Sequence, residues 1–173
     1  MSKILVLVGS ARQMRAADKV LEIVKNEAVK MGHDISVADQ KELQLPIFDE
    51  AFSPSQPEFA PTHEGVLKLT SEVSSADAVL VLTPEYNHGT PAVLKNMIDW
   101  VYKQWEGKKV GFVGYGWGGA PFSRKHLHDV FAQIKSEVVT PEAELIFMQN
   151  LNVDGSAASD EANSQVSAVL AAL

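Results

Sequence analysis

The sequence predicts an open parallel α/β sheet with helices on both faces. Three observations carry that expectation. The apolar runs Ile4–Val8, Ala78–Leu82 and Val110–Val113 are continuous rather than alternating, the pattern of strands buried on both faces. Between them, apolar residues recur at intervals of three and four, the spacing of one helix face. Strand and helix signals alternate along all 173 residues, which favours parallel pairing through crossover helices. That length suits about one domain. No repeat or composition break divides residues 1–173, so a single domain is expected.

Ile4-Leu5-Val6-Leu7-Val8, closed by Gly9, gives the first strand. Ala17, Val20, Leu21, Val24, Ala28 and Met31 mark the first helix. Gly32 is placed to end it, because a helix stop adopts the left-handed conformation that glycine tolerates. Ile35–Ala38 is a short second strand. Leu45–Pro61 holds four of the eight prolines and reads as a long irregular loop, a kind of segment that is usually functional within a compact domain. Its Phe48, Phe52 and Phe59 point to a protein interface, since a proline-rich stretch offers no regular element in which to bury them. Val66, Leu67, Leu69, Thr70 and Val73 give the second helix, and Ala78–Leu82 the third strand. Thr90 and Pro91 suit the N-cap and first turn of a third helix, whose buried face is Leu94, Met97, Ile98 and Val101. Val110–Val113 is the fourth strand and Gly114–Gly119 a glycine-rich loop. Leu127, Val130, Phe131 and Ile134 mark the fourth helix. Val138–Val139 and Leu145–Phe147 are strand-like around Pro141 and supply the fifth strand, and Gln165–Leu173 is the last helix.

Composition narrows the chemistry. There is no cysteine, which excludes disulfides, thiolate nucleophiles and thiolate-held zinc or iron–sulfur clusters. Fifteen Lys and Arg against 22 Asp and Glu leave a net charge of −7. That balance disfavours a broad nucleic-acid or anionic-membrane surface. No segment approaches the roughly 20 apolar residues of a membrane helix. The N-terminal apolar run ends at Ser10 and Arg12 without a small-residue cleavage site, so a strand is expected there and the cytoplasm is the expected compartment. No metal site is expected. His126 and His128 stand one residue apart on a helix and point in different directions, and His63 and His88 have no evident partner.

In such sheets ligands bind beyond the carboxyl ends of the strands, so three loops carry the candidate site. Gly9-Ser10-Ala11-Arg12-Gln13-Met14-Arg15 leaves the first strand and opens a helix. Free backbone N–H groups and the helix dipole favour a phosphate there, with Ser10, Arg12 and Arg15 able to bond its oxygens. An N-cap serine followed by solvated arginines explains the loop equally well. The absence of Gly-Lys-Ser/Thr excludes a nucleoside-triphosphate P-loop. Thr83-Pro84-Glu85-Tyr86-Asn87-His88-Gly89 leaves the third strand; its amides could bond a flat heterocycle whose edge Tyr86 and Asn87 shape, or it could be a proline-initiated turn with Tyr86 packing. Gly114-Tyr115-Gly116-Trp117-Gly118-Gly119 fits G-x-G-x-x-G, but it follows the fourth strand rather than the first of a βαβ unit, so it is a weak dinucleotide fingerprint. Tyr115 and Trp117 could line a ring pocket there, or cover the sheet edge. No G-x-S-x-G elbow is present. Thr83 stands where a phospho-accepting receiver domain would place an aspartate.

Taken together, these loops resemble the NADPH-dependent FMN reductase family, the flavodoxin-like group that includes quinone, azo-dye and chromate reductases. The most specific match is Pro84-Glu85-Tyr86-Asn87 followed by Leu94-Lys95-Asn96 and Asp99-Trp100, similar to the family's P-E-Y-N block and L-K-N-x-x-D-W. Gly9-Ser10-Ala11-Arg12 resembles its phosphate-loop opening, Leu45-Pro46-Ile47-Phe48-Asp49 its loop after the second strand, and Gly116–Gly119 its third flavin loop. The resemblance implies a flavodoxin-like five-stranded parallel sheet in the order 2-1-3-4-5, with FMN at its carboxyl edge. It implies an FMN-dependent NAD(P)H oxidoreductase that passes hydride from NADPH or NADH through FMN to a quinone-like or other small acceptor. Ser10, Arg12, Arg15, Ala16 and Ala17 would surround the FMN phosphate. Pro84, Glu85, Tyr86 and Asn87 would follow the ring on one side, and Gly116, Trp117 and Gly118 on the other. No side chain need act as an acid or base, so no catalytic residue is expected. A homodimer or homotetramer is implied, with the second subunit helping to close the flavin site.

One departure stands out. The family often has serine and asparagine where this chain has Arg15 and Ala17. A bidentate charged pair from Arg15 could replace both lost hydrogen bonds. Two other readings remain open at this level: a flavodoxin-type electron carrier without turnover, and a flavin-free protein that keeps the fold.

Overall fold

In the computed structural model, which describes residues 1–173, the apolar runs become the middle of one parallel sheet. Strands β1 (Lys3–Val8), β2 (Asp34–Asp39), β3 (Ala78–Thr83), β4 (Lys109–Gly116) and β5 (Glu137–Val138) lie in the order β2-β1-β3-β4-β5, and β6 (Ala143–Ile146) also pairs with β4. Every ladder is parallel. This is the sheet order that the resemblance implies. The expected fifth strand is in two pieces. β5 pairs with the start of β4 and β6 with its end. Pro141, which has no N–H to give to a ladder, sits between them.

Alternation along β1 builds both sides of the core. Leu5 and Leu7 face a layer formed with helices α3 (Glu64–Ser75), α4 (Ala92–Asp99) and α5 (Pro121–Gln133). Ile4, Val6 and Val8 face α1 (Ala17–Met31) and α6 (Asp160–Ala172). Each strand side chain therefore meets a helix on its own face. Gly32 ends α1 in the left-handed conformation, at φ 75°, as its position predicts.

Several boundaries differ from the sequence expectation. A one-turn helix, α2 (Gln40–Leu43), follows β2 and is started by the Asp39 carboxylate, which accepts the Lys41 N–H at 2.9 Å. α6 begins at Asp160 rather than Gln165, because its first turn is polar apart from the buried Ala162 and so carries little apolar signal. β4 runs on to Gly116, so Gly114 and Tyr115 are strand residues. Thr90 is not the cap of α4. Pro91 holds that position, and the Thr90 hydroxyl donates instead to the Ser123 carbonyl at 3.2 Å. His63 does have a partner: its Nδ1 accepts the Gly65 N–H at 3.2 Å and caps α3.

The proline-rich loop between α2 and α3 packs inward. The Asn96 side chain accepts the Phe48 N–H at 2.9 Å and donates to the Pro46 carbonyl at 2.8 Å, and the Trp100 indole N–H donates to the same carbonyl at 2.9 Å. Phe48 meets the Trp100 ring edge-on at 4.9 Å between centroids, and Phe59 lies 6.3 Å from it. Of the three loop phenylalanines, only Phe52 is exposed, at 45%. Phe48 and Phe59 are half-buried because the buried Trp100 provides the apolar surface that the loop itself lacks. Replacing Asn96 with Leu orphans the Phe48 N–H and half of the Pro46 anchor. Urea unfolding of Asn96→Leu is expected to show a loss of about 1–3 kcal/mol; an unchanged midpoint would show that the anchor is dispensable.

Candidate functional site

β1, β3 and β4 end together on one side of the sheet, and a cleft of about 460 Å³ opens above them. Its size is in the range of cofactor sites. Two close approaches shape it. A Cβ on Gly9 would stand 2.6 Å from the Leu82 carbonyl oxygen, so the first loop can lie against β3 only with glycine there. Gly116 has φ 133° and nothing within 4 Å of where a side chain would begin. Its bare backbone leaves the cleft open on the β4 side.

Ten of the twelve sequence-predicted residues line the cleft: Ser10, Arg12, Arg15, Ala16, Pro84, Glu85, Tyr86, Gly116, Trp117 and Gly118. Ala17 is the first residue of α1 and is fully buried in the core. Asn87 sits outside on the tip of a two-residue turn. Tyr86 and Gly89 exchange two backbone hydrogen bonds, each 3.1 Å, around Asn87 and His88, whose φ values are 49° and 62°. Both central residues are left-handed, as a tight hairpin turn requires, and asparagine tolerates that conformation well. The cleft also takes in Tyr115, Ala120, Pro121, Phe122 and Phe147. Phe122 and Phe147 were missed because they lie at element ends, Phe122 in the first turn of α5 and Phe147 just after β6, where an aromatic residue carries no periodic signal.

The two arginines of the first loop divide their work. Arg15 turns its guanidinium inward. It donates to Asp18 from Nε at 2.8 Å, to both Asp39 carboxylate oxygens, and to the Ser10 carbonyl. Its side chain is 6% exposed, and the Asp39 contact holds it charged. Burial disfavours ionisation of Asp39, but Arg15 and the Lys41 amide outweigh it and keep the carboxyl below the usual range. Arg12 is exposed, makes no ion pair, and borders the cleft. Beside it, the backbone N–H groups of residues 13–18 have no protein acceptor, and Ala16 gives α1 no side-chain cap. The cleft thus has an end suited to an anion, where the free cation is Arg12.

The opposite walls are fixed by hydrogen bonds between loops. The Ser10 and Tyr86 hydroxyls share one of 2.7 Å. Glu85 accepts the Phe122 N–H at 2.8 Å and the Ser123 N–H at 3.4 Å, so its carboxylate caps α5. The buried Thr83 and Ser123 hydroxyls bond at 2.6 Å. Phe122 packs on the His88 ring at 3.9 Å and Trp117 meets Phe147 edge-on at 5.6 Å.

Residues 2–150 match the model of the NADPH-dependent FMN reductase family. The chain belongs to that family. It is 30% identical over 149 residues to the NAD(P)H-dependent FMN reductase LOT6 of Saccharomyces cerevisiae, covering 79% of this chain and 77% of that one. It is 31% identical over 97 residues to a 2-hydroxy-1,4-benzoquinone reductase of a Burkholderia species, about half of each chain (52% and 50%). In structure it is similar to FerB, a flavoenzyme NAD(P)H:(acceptor) oxidoreductase of Paracoccus denitrificans, with a TM-score of 0.76, 23% identity and 99% of both chains covered. The cleft fits the family's cofactor: unpaired amides and Arg12 at one end suit a phosphate, and the slot between Pro84–Tyr86 and the bare Gly116 backbone suits a flat ring.

The Arg15–Asp39 pair supports the floor of this end. Removing one partner of a buried pair leaves an uncompensated charge. Arg15→Ala is expected to lose about 3–5 kcal/mol in chemical unfolding. The Asp39 contribution is fully present above its unfolded pKa of about 4 and is lost as pH falls through its lower folded value. Stability measured from pH 6 downward should therefore fall less steeply in Asp39→Asn than in the parent; parallel curves would contradict the assignment.

Proposed function

We propose that the cleft holds FMN and that the protein is an FMN-dependent NAD(P)H oxidoreductase serving a quinone-like or other small acceptor. The observation that carries this is the presence, in one cleft, of an unpaired anion-receptive end and an open slot bounded by bare backbone. FMN supplies the redox chemistry when bound, taking hydride from NADPH or NADH and passing it on.

The chain's own residues bind and orient. Arg12 and the amides of residues 13–18 neutralise the phosphate at a helix N-terminus. Pro84, Glu85 and Tyr86 present backbone to one side of the ring, and Gly116–Gly118 to the other. The Glu85 carboxylate is occupied by the start of α5, so its part in the site is to hold the loop. Trp117 and Phe122, exposed at 73% and 41%, give the mouth two aromatic walls for a planar donor or acceptor. No side chain of the cleft has to move a proton.

A homodimer or homotetramer suits the same mouth. Trp117, 73% exposed and packed edge-on against Phe147, gives it an apolar rim that a second subunit would cover. No helix is long and apolar enough to cross a membrane, and a nicotinamide donor supports work in the cytoplasm.

Reconstituted protein is expected to hold FMN through gel filtration, to lose the flavin colour when NADPH is added without oxygen, and to regain it with a quinone. Protein that stays colourless would contradict the reading. Arg12→Ala is expected to weaken FMN binding about ten- to a hundredfold, the worth of a charged hydrogen bond, and to leave riboflavin binding unchanged.

A further inference from the structure

We infer that Tyr115 is a further ligand of the cofactor, its phenol hydroxyl donating to an oxygen of the phosphate group. The inference rests on the FMN reading and concerns which side chains complete its phosphate end.

Three hydroxyls border the cleft: those of Ser10, Tyr86 and Tyr115. Ser10 and Tyr86 bond each other at 2.7 Å. The Tyr115 hydroxyl is buried and makes no well-formed hydrogen bond, its polar neighbour being the Ser10 hydroxyl that Tyr86 already engages, in a residue only 3% exposed. It comes from the last turn-facing part of β4 and lies among Ser10, Tyr86, Arg15 and Asp18, at the end of the cleft where α1 begins. Burial pushes its phenol well above the ordinary value, with Tyr86 adding to the effect and Arg15 and the nearby Ser10 hydroxyl opposing it. The group is therefore a neutral donor at any working pH.

A buried hydroxyl without a partner is destabilising, and native proteins rarely keep one. Phenylalanine would fill the same volume without that cost. The hydroxyl is accounted for if its acceptor arrives with the ligand. The surroundings favour such a role. Ala17 has no polar side chain, and Arg15 is turned onto Asp39, Asp18 and the Ser10 carbonyl, so neither residue supplies a hydroxyl to the phosphate end.

Tyr115→Phe and the parent, both as apoprotein, would be titrated with FMN and with riboflavin by flavin fluorescence and melted with and without FMN. The expected result is a loss of about tenfold in FMN affinity, unchanged riboflavin affinity, a ligand-free melting temperature no lower than the parent's, and a smaller rise on adding FMN. Unchanged FMN affinity, equal weakening of both flavins, or a lower ligand-free melting temperature would overturn the inference while leaving the FMN reading intact. A parent protein that binds neither flavin would overturn the FMN reading itself.

Discussion

Hydrogen bonds between the β3–α4 loop and the first turn of α5 fix the geometry on which the cleft depends. Glu85 caps α5, the Thr83 hydroxyl meets that of Ser123, and the Thr90 hydroxyl donates to the Ser123 carbonyl. Thr83 and Ser123 are fully buried, so these polar groups are affordable only because they satisfy one another. The loop with Pro84–Tyr86 and the turn with Gly118–Phe122 are thereby one rigid wall rather than two mobile segments. The left-handed His88, held against Phe122, is tolerated within that frame.

The opposite wall depends on charge. Arg15 is committed to the buried Asp39 at the end of β2 and to Asp18 in the first turn of α1, which joins the first loop to two neighbouring elements. The commitment leaves Arg12 and the uncapped start of α1 as the positive end of the cleft. A serine at position 15 would bond a ligand but could not neutralise Asp39. At position 15 the arginine lines the cleft and also ties the first loop to Asp39 and Asp18.

The continuous runs at β1, β3 and β4 made the sheet legible in the sequence, because strands buried on both faces leave a strong apolar signal. Most of the cleft was legible too, since parallel strands bring their carboxyl-end loops together. What stayed hidden depends on partners far along the chain. Asn96 and Trp100 read as helix residues, yet they anchor the loop at Pro46. The three loop phenylalanines read as exposed, yet two pack on Trp100. Asn87 read as a ring contact, yet its place is set by the backbone of a tight turn. The pairing of Arg15 with Asp39, 24 residues away, gave no sign in the sequence either.

The FMN site we propose above β1, β3 and β4 is built from the first loop, the Pro84–Tyr86 loop and the end of β4 at Gly116. A crystal structure of the protein grown with FMN tests it most directly. The account predicts one flavin per chain, its phosphate against Arg12 and the start of α1 and its ring between Tyr86 and Gly116. Flavin bound elsewhere, or in this cleft with the phosphate at the Trp117 end, would contradict it.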